Sequence, residues 1–184
     1  MKRMLDVALS LAALLLLSPL MLAAAVAVAV QSGRPVLFRQ VRVGQGGREF
    51  AMLKFRSMVQ GAAALGPYHT AEGDTRVTRV GRFIRRTSLD ELPQLLNVLA
   101  GDMSLVGPRP DVPAQRQLYT EAQWAERCSV RPGITGLAQA LRRSQATEAE
   151  RLALDLRYVR EHNCWLDLKI LGWTLSRLSG RGST

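Results

Sequence analysis

The longest apolar stretch of the chain lies at its N-terminal end. From Val7 to Gly33 no residue is charged, and most are Leu, Ala or Val. At about 1.5 Å per residue, a helix of this length is long enough to cross a hydrocarbon core of about 30 Å. It is too long for the hydrophobic region of a cleaved signal peptide, so we expect it to remain in the protein as a membrane anchor.

Two features of this helix bear on its topology. Ser18-Pro19 lies near its middle, and a proline inside a helix removes a hydrogen bond and kinks the chain. Basic residues flank both ends: Lys2, Arg3, Arg34, Arg39 and Arg42. Because basic flanks tend to stay on the cytoplasmic side, both ends are expected there. A re-entrant helix that turns at Ser18-Pro19 fits this pattern, and a kinked single-pass helix is the alternative.

The next stretch has the pattern of a β-hairpin. Residues 35–43 and 48–58 are rich in Val and Phe, and a glycine-rich turn at 44–47 joins them. Alternation places Lys54 and Arg56 on one face of the second strand. Two cations there suit a phosphate, although a solvated strand face is the ordinary explanation. Residues 61–74 show little periodicity and are predicted to form a mobile loop.

Helical periodicity covers much of the remaining chain. Arginines recur at every third position opposite apolar residues (Arg76, Arg79, Arg82 and Arg85), which predicts a cationic helix. Leucines at 92, 95, 96 and 99 predict a second helix. Further helices are expected at 111–126 and 147–158, with a turn at 131–136. The amphipathic stretch at 165–178 either packs on the core or lies in a membrane interface.

Two adjacent carboxylates, Asp90 and Glu91, stand between the arginines and the leucines. Helix capping alone accounts for both, either through a capping box from Ser88 to Glu91 or with Asp90 as the cap. The alternative is catalysis. A carboxylate with an ordinary pKa of about 4 is ionised at neutral pH and can act as a nucleophile without a base. The spacing leaves both interpretations open.

Composition narrows the choice of partner. The 184 residues suffice for one domain with a core, and a net charge of +10 calls for an anionic partner. Aromatic residues are few and no nucleic-acid motif occurs, so a nucleic acid partner is not expected. Cys128 and Cys164 are too few for a disulfide framework and are expected to be reduced thiols. Arg109, held between Pro108 and Pro110, has a stiff backbone that suits a bidentate contact to phosphate.

In this order, the motifs resemble the bacterial sugar transferases, specifically small monotopic phosphoglycosyl transferases. The matching stretches are the apolar segment with Ser18-Pro19, the residues at 40–44, 54–58, 88–92, 101–110, 131–139 and 155–159, and those at 166–170. The resemblance implies a compact, helix-rich α/β (α+β) catalytic domain with a short β-hairpin at 35–184, preceded by a re-entrant helix at 1–34. It also implies a place on the cytoplasmic face of the bacterial inner membrane, where the C-terminal helix would be interfacial. A homodimer is a further expectation.

The resemblance further implies an activity and a set of site residues. Such enzymes move a sugar-1-phosphate from a UDP-sugar to a polyprenol phosphate, such as undecaprenyl phosphate, with Mg²⁺ and release of UMP, which initiates glycoconjugate assembly. Asp90 falls on the covalent nucleophile, with Glu91 beside it as a Mg²⁺ ligand or positioning group. The implied substrate-binding residues are Lys54, Arg85, Pro108, Arg109 and Pro110, and the implied metal ligands are Asp90, Glu91 and Asp167.

Two other functions use the same residues. A glycosidase would also need two acids, but adjacent helical residues point about 100° apart and flank one glycosidic bond poorly. A non-enzymatic adaptor would bind anionic lipid through the arginines. Loss of turnover with retained membrane binding in Asp90→Asn would separate the enzyme from the adaptor.

Overall fold

The computed structural model describes residues 1–62, 73–142 and 146–178. Its elements are α1 (Lys2–Ser32), β1 (Leu37–Val43), β2 (Glu49–Phe55), α2 (Arg79–Arg86), α3 (Gln94–Ala100), β3 (Ser104–Val106), α4 (Glu121–Arg127), β4 (Gly133–Thr135), α5 (Leu137–Arg142), α6 (Glu148–Glu161) and α7 (Cys164–Leu178). Short 3₁₀ turns occupy Gln45–Gly47, Leu89–Glu91 and Pro113–Leu118. The predicted helix-rich α/β class with a β-hairpin is confirmed. Most of the predicted mobile loop lies outside the described residues.

The predicted β-hairpin is present as the antiparallel pair β1 and β2, in register from Leu37 opposite Phe55 to Val43 opposite Glu49. The second strand is shorter than predicted and ends before Arg56. The Arg56 guanidinium instead donates to the carbonyl oxygens of Ser32, at 2.5 Å, and Gly33, where α1 ends. A cation at a helix C-terminus satisfies carbonyls that have no partner within the helix. Arg56 is therefore part of the junction between α1 and the hairpin.

The N-terminal end of α1 is fixed to the domain by its charged residues. The Asp6 carboxylate accepts from the Ser104 hydroxyl at 2.9 Å and from the Leu105 N–H at 3.1 Å. Arg3 donates to the carbonyl oxygens of Val98 and Leu99 at the end of α3, at 2.6 and 3.0 Å. The sequence alone identifies Lys2 and Arg3 only as basic residues that flank the apolar segment. The structure shows that this end of α1 also has specific polar partners.

The other end of α1 packs through apolar residues. Ala24 and Val28 are buried with Phe55 and Ile84 in one core cluster. Between the two docked ends, Leu15 and Leu16 are 70% and 80% exposed. The helix is long and apolar enough to cross a membrane, yet both of its ends contact the same domain.

The strands β3 and β4 form a short parallel pair. The segment that carries Arg109 follows β3 directly. The two strands run so close that a Cβ added to Gly133 would lie 2.1 Å from the Gly107 nitrogen. Only glycine permits this backbone approach. The prediction of a simple turn at 131–136 is therefore wrong, because part of that stretch is β4.

The predicted single helix at 111–126 is also wrong. The stretch divides into the 3₁₀ turn Pro113–Leu118 and the helix α4. Tyr119 is extended, and the Thr120 side chain then caps α4 by accepting from the Gln123 N–H. Because this capping box starts a new helix at residue 121, the two pieces are not continuous. By contrast, the predicted capping box of Thr147 and Glu150 does open α6.

The C-terminal helix α7 has one buried and one exposed face. Ile170 is fully buried, and Thr174 bonds Thr135 at 2.8 Å. Trp165 and Leu175 are about two-thirds exposed, at 66% and 65%. The helix therefore packs on the core through the face that carries Ile170 and Thr174, whereas Trp165, Leu168 and Leu175 of the predicted apolar face are exposed.

Candidate active site

A cavity of about 1050 Å³ opens between the hairpin, α2 and the segment that precedes α3. Its lining includes most of the predicted site residues: Lys54, Arg85, Asp90, Glu91 and Arg109. They come from four separate parts of the chain, so the fold brings together what the sequence separates. The charge pattern is that of two carboxylates surrounded by cations.

The two carboxylates do not cap a helix, so both capping interpretations are wrong. The helix α3 starts only at Gln94, after Pro93, and no side chain caps it. Ser88 adopts the left-handed conformation at φ 57° and its hydroxyl makes no capping bond. A non-glycine residue in this conformation stores strain, which is characteristic of functional sites. Since neither Asp90 nor Glu91 caps a helix, both carboxylates are available to interact with a ligand in the cavity.

Glu91 is a fixed anion. Its Oε1 accepts from Lys54 Nζ at 2.9 Å and from Arg109 Nη2 at 2.7 Å. Burial alone would raise the pKa of Glu91, but Arg109 and Lys54 outweigh it and lower that pKa to about 2. The two cations are held together at one oxygen, where they face the cavity. Arg109 and Lys54 are thus pre-positioned by Glu91.

Asp90 is the opposite case. It is 7% exposed, and among the described residues no side chain donates a hydrogen bond to its carboxylate. Burial, followed by the negative charge of Glu91, raises the pKa of Asp90 to about 6. The expectation of an ordinary pKa near 4 is therefore wrong. The carboxylate is still mostly ionised at neutral pH and is available to react.

The pKa of Asp90 predicts an acid limb in the reaction. If Asp90 must be ionised to attack, the kcat/KM for donor should fall as the pH decreases through about 6 and be about tenfold lower at pH 5. If the chain has the activity that the resemblance implies, the burst of UMP released without acceptor is the proper measurement, since an acceptor phosphate titrates near the same pH. Lys54→Met removes a cation that lowers the pKa of Asp90 and should shift the limb to higher pH. A flat profile between pH 5 and 8 would contradict this role.

The backbone around Arg109 is held by hydrogen bonds from other parts of the chain to three consecutive carbonyl groups. The carbonyl of Pro108 accepts from the Gly133 N–H at 2.9 Å, and that of Pro110 from Arg42 Nη1 at 2.7 Å. The carbonyl of Arg109 itself accepts from Arg127 Nη2 at 2.6 Å. The prolines therefore flank Arg109 as predicted, but the stiffness also comes from bonds that no local pattern shows.

Arg127 belongs to the surroundings of the site, although no sequence pattern indicates it. Its guanidinium is buried and pairs with Asp111 at 2.5 Å and Asp155 at 2.9 Å. It thus ties α4, α6 and the segment after Arg109 into one cluster. A buried arginine is normally paired in this way. Asp155 lies in a motif of the resemblance, but nothing in the sequence connects it with Arg127.

Asp167 does not lie with the other acids. Its carboxylate accepts from Lys2 Nζ at 2.6 Å and from the Tyr158 hydroxyl at 2.7 Å, on α7 and away from the cavity lining. In the part of the chain that the structure describes, no group of three or more His, Cys, Asp or Glu side chains could hold a metal. The structure therefore does not bring Asp167 together with Asp90 and Glu91.

The two cavity carboxylates nevertheless fit Mg²⁺. Lys54 and Arg109 both engage Oε1 of Glu91, and no described side chain donates to the Asp90 oxygens. Mg²⁺ is usually held by one or two carboxylates together with substrate phosphates, rather than by a full protein cage. Asp90 and Glu91 are the residues that could hold it, and the Mg²⁺ requirement stays a prediction.

Comparison with known proteins identifies the family of this chain. The sequence matches the bacterial sugar transferase family over residues 1–181. The chain belongs to the bacterial sugar transferase family. The predicted family and enzyme class are thereby confirmed. The match includes α1 and all the cavity residues named above.

Several relatives of this sugar transferase carry functional names. It is 45% identical over 184 residues to the UDP-glucose:undecaprenyl-phosphate glucose-1-phosphate transferase of Caulobacter vibrioides, covering 96% of this chain and 69% of the relative. A Xanthomonas campestris protein of the same name is 45% identical over 98% of this chain, which spans only 39% of that relative. A further relative, named only as an uncharacterized sugar transferase, EpsL of Bacillus subtilis, is 42% identical and covers 97% of this chain and 87% of the relative. Several of these relatives are therefore much longer than this chain.

Proposed function

We propose that this sugar transferase moves a sugar-1-phosphate from a UDP-sugar to a polyprenol phosphate and releases UMP. One observation carries the proposal: the unpaired carboxylate of Asp90 shares a cavity with the cations Lys54, Arg85 and Arg109. The cations suit a diphosphate, and the carboxylate is a nucleophile without a competing partner. The names of the relatives support a UDP-sugar donor and an undecaprenyl phosphate acceptor.

In the first step, an Asp90 oxygen attacks the phosphorus that carries the sugar. The new bond joins the carboxylate oxygen to phosphorus in an acyl phosphate (a mixed anhydride), and the bond between the two donor phosphates breaks, so UMP leaves with the bridging oxygen. No proton has to move, because the leaving group is itself a phosphate. Arg109 and Lys54 are placed to stabilise the charge that develops on it. When bound, a divalent cation would supply further neutralisation of the diphosphate charge.

In the second step, a phosphate oxygen of the acceptor attacks the same phosphorus. The polyprenyl diphosphate sugar forms, the aspartyl–phosphorus bond breaks, and the Asp90 carboxylate is regenerated. The acceptor phosphate is largely dianionic at neutral pH, with a second pKa of about 6, and needs little help from a base. Glu91 is therefore assigned to positioning Lys54 and Arg109, and to the cation, rather than to general base catalysis.

The released nucleotide tests the proposal. Purified protein is incubated with Mg²⁺, polyprenol phosphate and a panel of UDP-sugars that begins with UDP-glucose and UDP-N-acetylgalactosamine. UMP release that is lost in Asp90→Asn supports phosphoglycosyl transfer and names the sugar. UDP release would mean that the glycosidic bond breaks, and the role of Asp90 would be abandoned. Membrane binding without any nucleotide release would favour the adaptor.

We also propose that α1 is re-entrant, on the cytoplasmic face of the inner membrane. A straight helix of 31 residues is about 46 Å long, so one that crossed the bilayer would separate its ends by more than the hydrocarbon core. Here both ends contact one domain, while the exposed leucines lie between them near Pro19. The exposed tryptophans of α7 suit the membrane interface. The predicted homodimer stays a prediction.

Cysteine labelling tests this topology. In a background with Cys128→Ser and Cys164→Ser, a single cysteine is placed before Met1 or in place of the exposed Arg39. With a membrane-impermeant maleimide, neither should react in intact spheroplasts and both should react after lysis. Reaction of the N-terminal cysteine in intact spheroplasts, with Arg39→Cys protected, would show a helix that spans the membrane.

A further inference from the structure

A second cavity lies between α1 and α2, and its lining is more apolar than that of the catalytic cavity. It has a volume of about 460 Å³ and is lined by Leu20, Ala23, Ala24, Ala27, Arg79, Val80, Phe83, Ile84 and Leu89. We call it the α1–α2 groove. The α1 residues follow one helical stripe, at i, i+3, i+4 and i+7. Because three of the four are alanines, the stripe is a channel rather than a ridge.

The groove is apolar and partly open. Arg79 is its only charged lining residue among the described residues. Phe83 forms one side and is 53% exposed, although a large aromatic side chain normally finds apolar cover. The opposite side belongs to α1, the helix that carries the long apolar sequence. A ligand in the groove is therefore expected to be a hydrocarbon chain, not a sugar or a nucleotide.

The position of the groove identifies which hydrocarbon chain it suits. The catalytic cavity and the groove share residues 84–90 as a wall: Ile84 and Leu89 face the groove, whereas Arg85 and Asp90 line the catalytic cavity. Leu89 and Asp90 are consecutive, with Cα atoms about 3.8 Å apart. A lipid whose phosphate lies beside Asp90 and Arg85 therefore has its first carbons next to the groove. Arg85 on α2, which lines the catalytic cavity, matches the negative charge of that phosphate.

We propose that the α1–α2 groove binds the phosphate-proximal isoprene units of the polyprenol phosphate acceptor. From Leu20 to Ala27 the groove follows α1 for about 10 Å, so it holds only the first units and the rest of the chain stays in the bilayer. The proposal rests on the proposed function, because it assigns the lipid part of that acceptor. It gives α2 two roles, with Arg85 toward the phosphate and Phe83 toward the chain.

Filling the groove tests the assignment. Ala23→Leu places a larger side chain in the channel, and Phe83→Ala removes one wall. Losing contact with about two methylene groups should raise the KM for undecaprenyl phosphate about tenfold. Val26→Leu is the matched control, because Val26 is exposed on the same helix and does not line the groove. The burst of UMP without acceptor reports the first step, which should not change in any of the three variants.

Each outcome decides the assignment. A raised acceptor KM in Ala23→Leu and Phe83→Ala, with Val26→Leu like wild type, supports the groove. Acceptor kinetics equal in all three variants would overturn it, and so would an equal effect on the burst. An effect seen in phospholipid nanodiscs but absent in detergent would assign the groove to membrane phospholipid instead. If the wild type releases no UMP from any donor, the proposed function fails first, which separates the two failures.

Discussion

Replacing Asp90 by asparagine is expected to abolish turnover and at the same time to stabilise the fold. Loss of the nucleophile should reduce UMP release by at least about 10³-fold. The pKa of Asp90 is raised from 3.8 to about 6 by burial and then by Glu91. The ionised carboxylate therefore weakens the folded state at neutral pH, by about 1–3 kcal/mol, and the neutral amide removes this cost.

The pH dependence of this gain has a definite sign. A carboxyl group with a higher pKa in the folded protein than in the unfolded chain binds its proton more tightly when folded. Wild-type stability should therefore fall as the pH rises from about 4 to about 6, and the full cost should be present above that. The higher melting temperature of Asp90→Asn is thus expected at pH 7–8 and should disappear below about pH 4.

Two carboxylate variants serve as controls. Glu91→Gln should also reduce activity but should lower the melting temperature, because it leaves Lys54 and Arg109 without their anion. Glu121→Gln, whose side chain is 97% exposed, should change neither property. If Asp90→Asn destabilises the protein as Glu91→Gln does, the Asp90 carboxylate is a paired structural group. If it retains activity within tenfold of wild type, Asp90 is not the nucleophile.

The sequence predicted those elements whose determinants are local. The hairpin follows from alternation and a glycine-rich turn, and α6 follows from the capping box of Thr147 and Glu150. Neither predicted start of the helix α3 is correct. Ser88 adopts a left-handed conformation, which a serine in the sequence does not indicate. That same departure places Asp90 and Glu91 in the cavity rather than at a helix cap. The helix-capping rules therefore fail at the residues that form the candidate active site.

Contacts between distant parts of the chain could not be predicted. Asp6 binds Ser104 and Leu105, about a hundred residues away, and no sequence pattern connects these residues. Asp167 matches an acidic position of the resemblance, yet the fold places it beside Lys2 and Tyr158. The opposite pKa shifts of two neighbouring acids likewise depend on Lys54 and Arg109, which come from other parts of the chain.

Replacing Arg127 by methionine is expected to be strongly destabilising. Arg127 is buried and pairs with the equally buried carboxylates of Asp111 and Asp155. Removing the guanidinium leaves the Asp155 carboxylate in the interior without a counterion and leaves Asp111 with Arg151 at 3.3 Å, which costs about 3–5 kcal/mol. In a protein of this size, that lowers the melting temperature by about 10 °C. Chemical unfolding monitored by circular dichroism measures the change.

The electrostatic origin of this loss can be tested directly. Burial already raises the pKa of Asp155, although Arg127 opposes it. Without Arg127 the pKa should rise further, so the variant should be less destabilised at pH 5 than at pH 8. Adding Asp155→Asn removes one uncompensated charge and should recover part of the loss. The matched control is Arg160→Met, which breaks an exposed pair with Glu126 and should change the stability little, because solvent screens exposed ion pairs.

Arg127→Lys connects this cluster to catalysis. Lysine keeps the charge but lacks the planar fork that reaches Asp155, Asp111 and the Arg109 carbonyl together. At a temperature where this variant is fully folded, the kcat/KM for the UDP-sugar should still fall about tenfold, because Arg109 is no longer held at fixed geometry. A variant that is less stable but has a normal kcat/KM would confine Arg127 to folding. A loss in both would show that the buried cluster also sets the position of Arg109 against the donor phosphates.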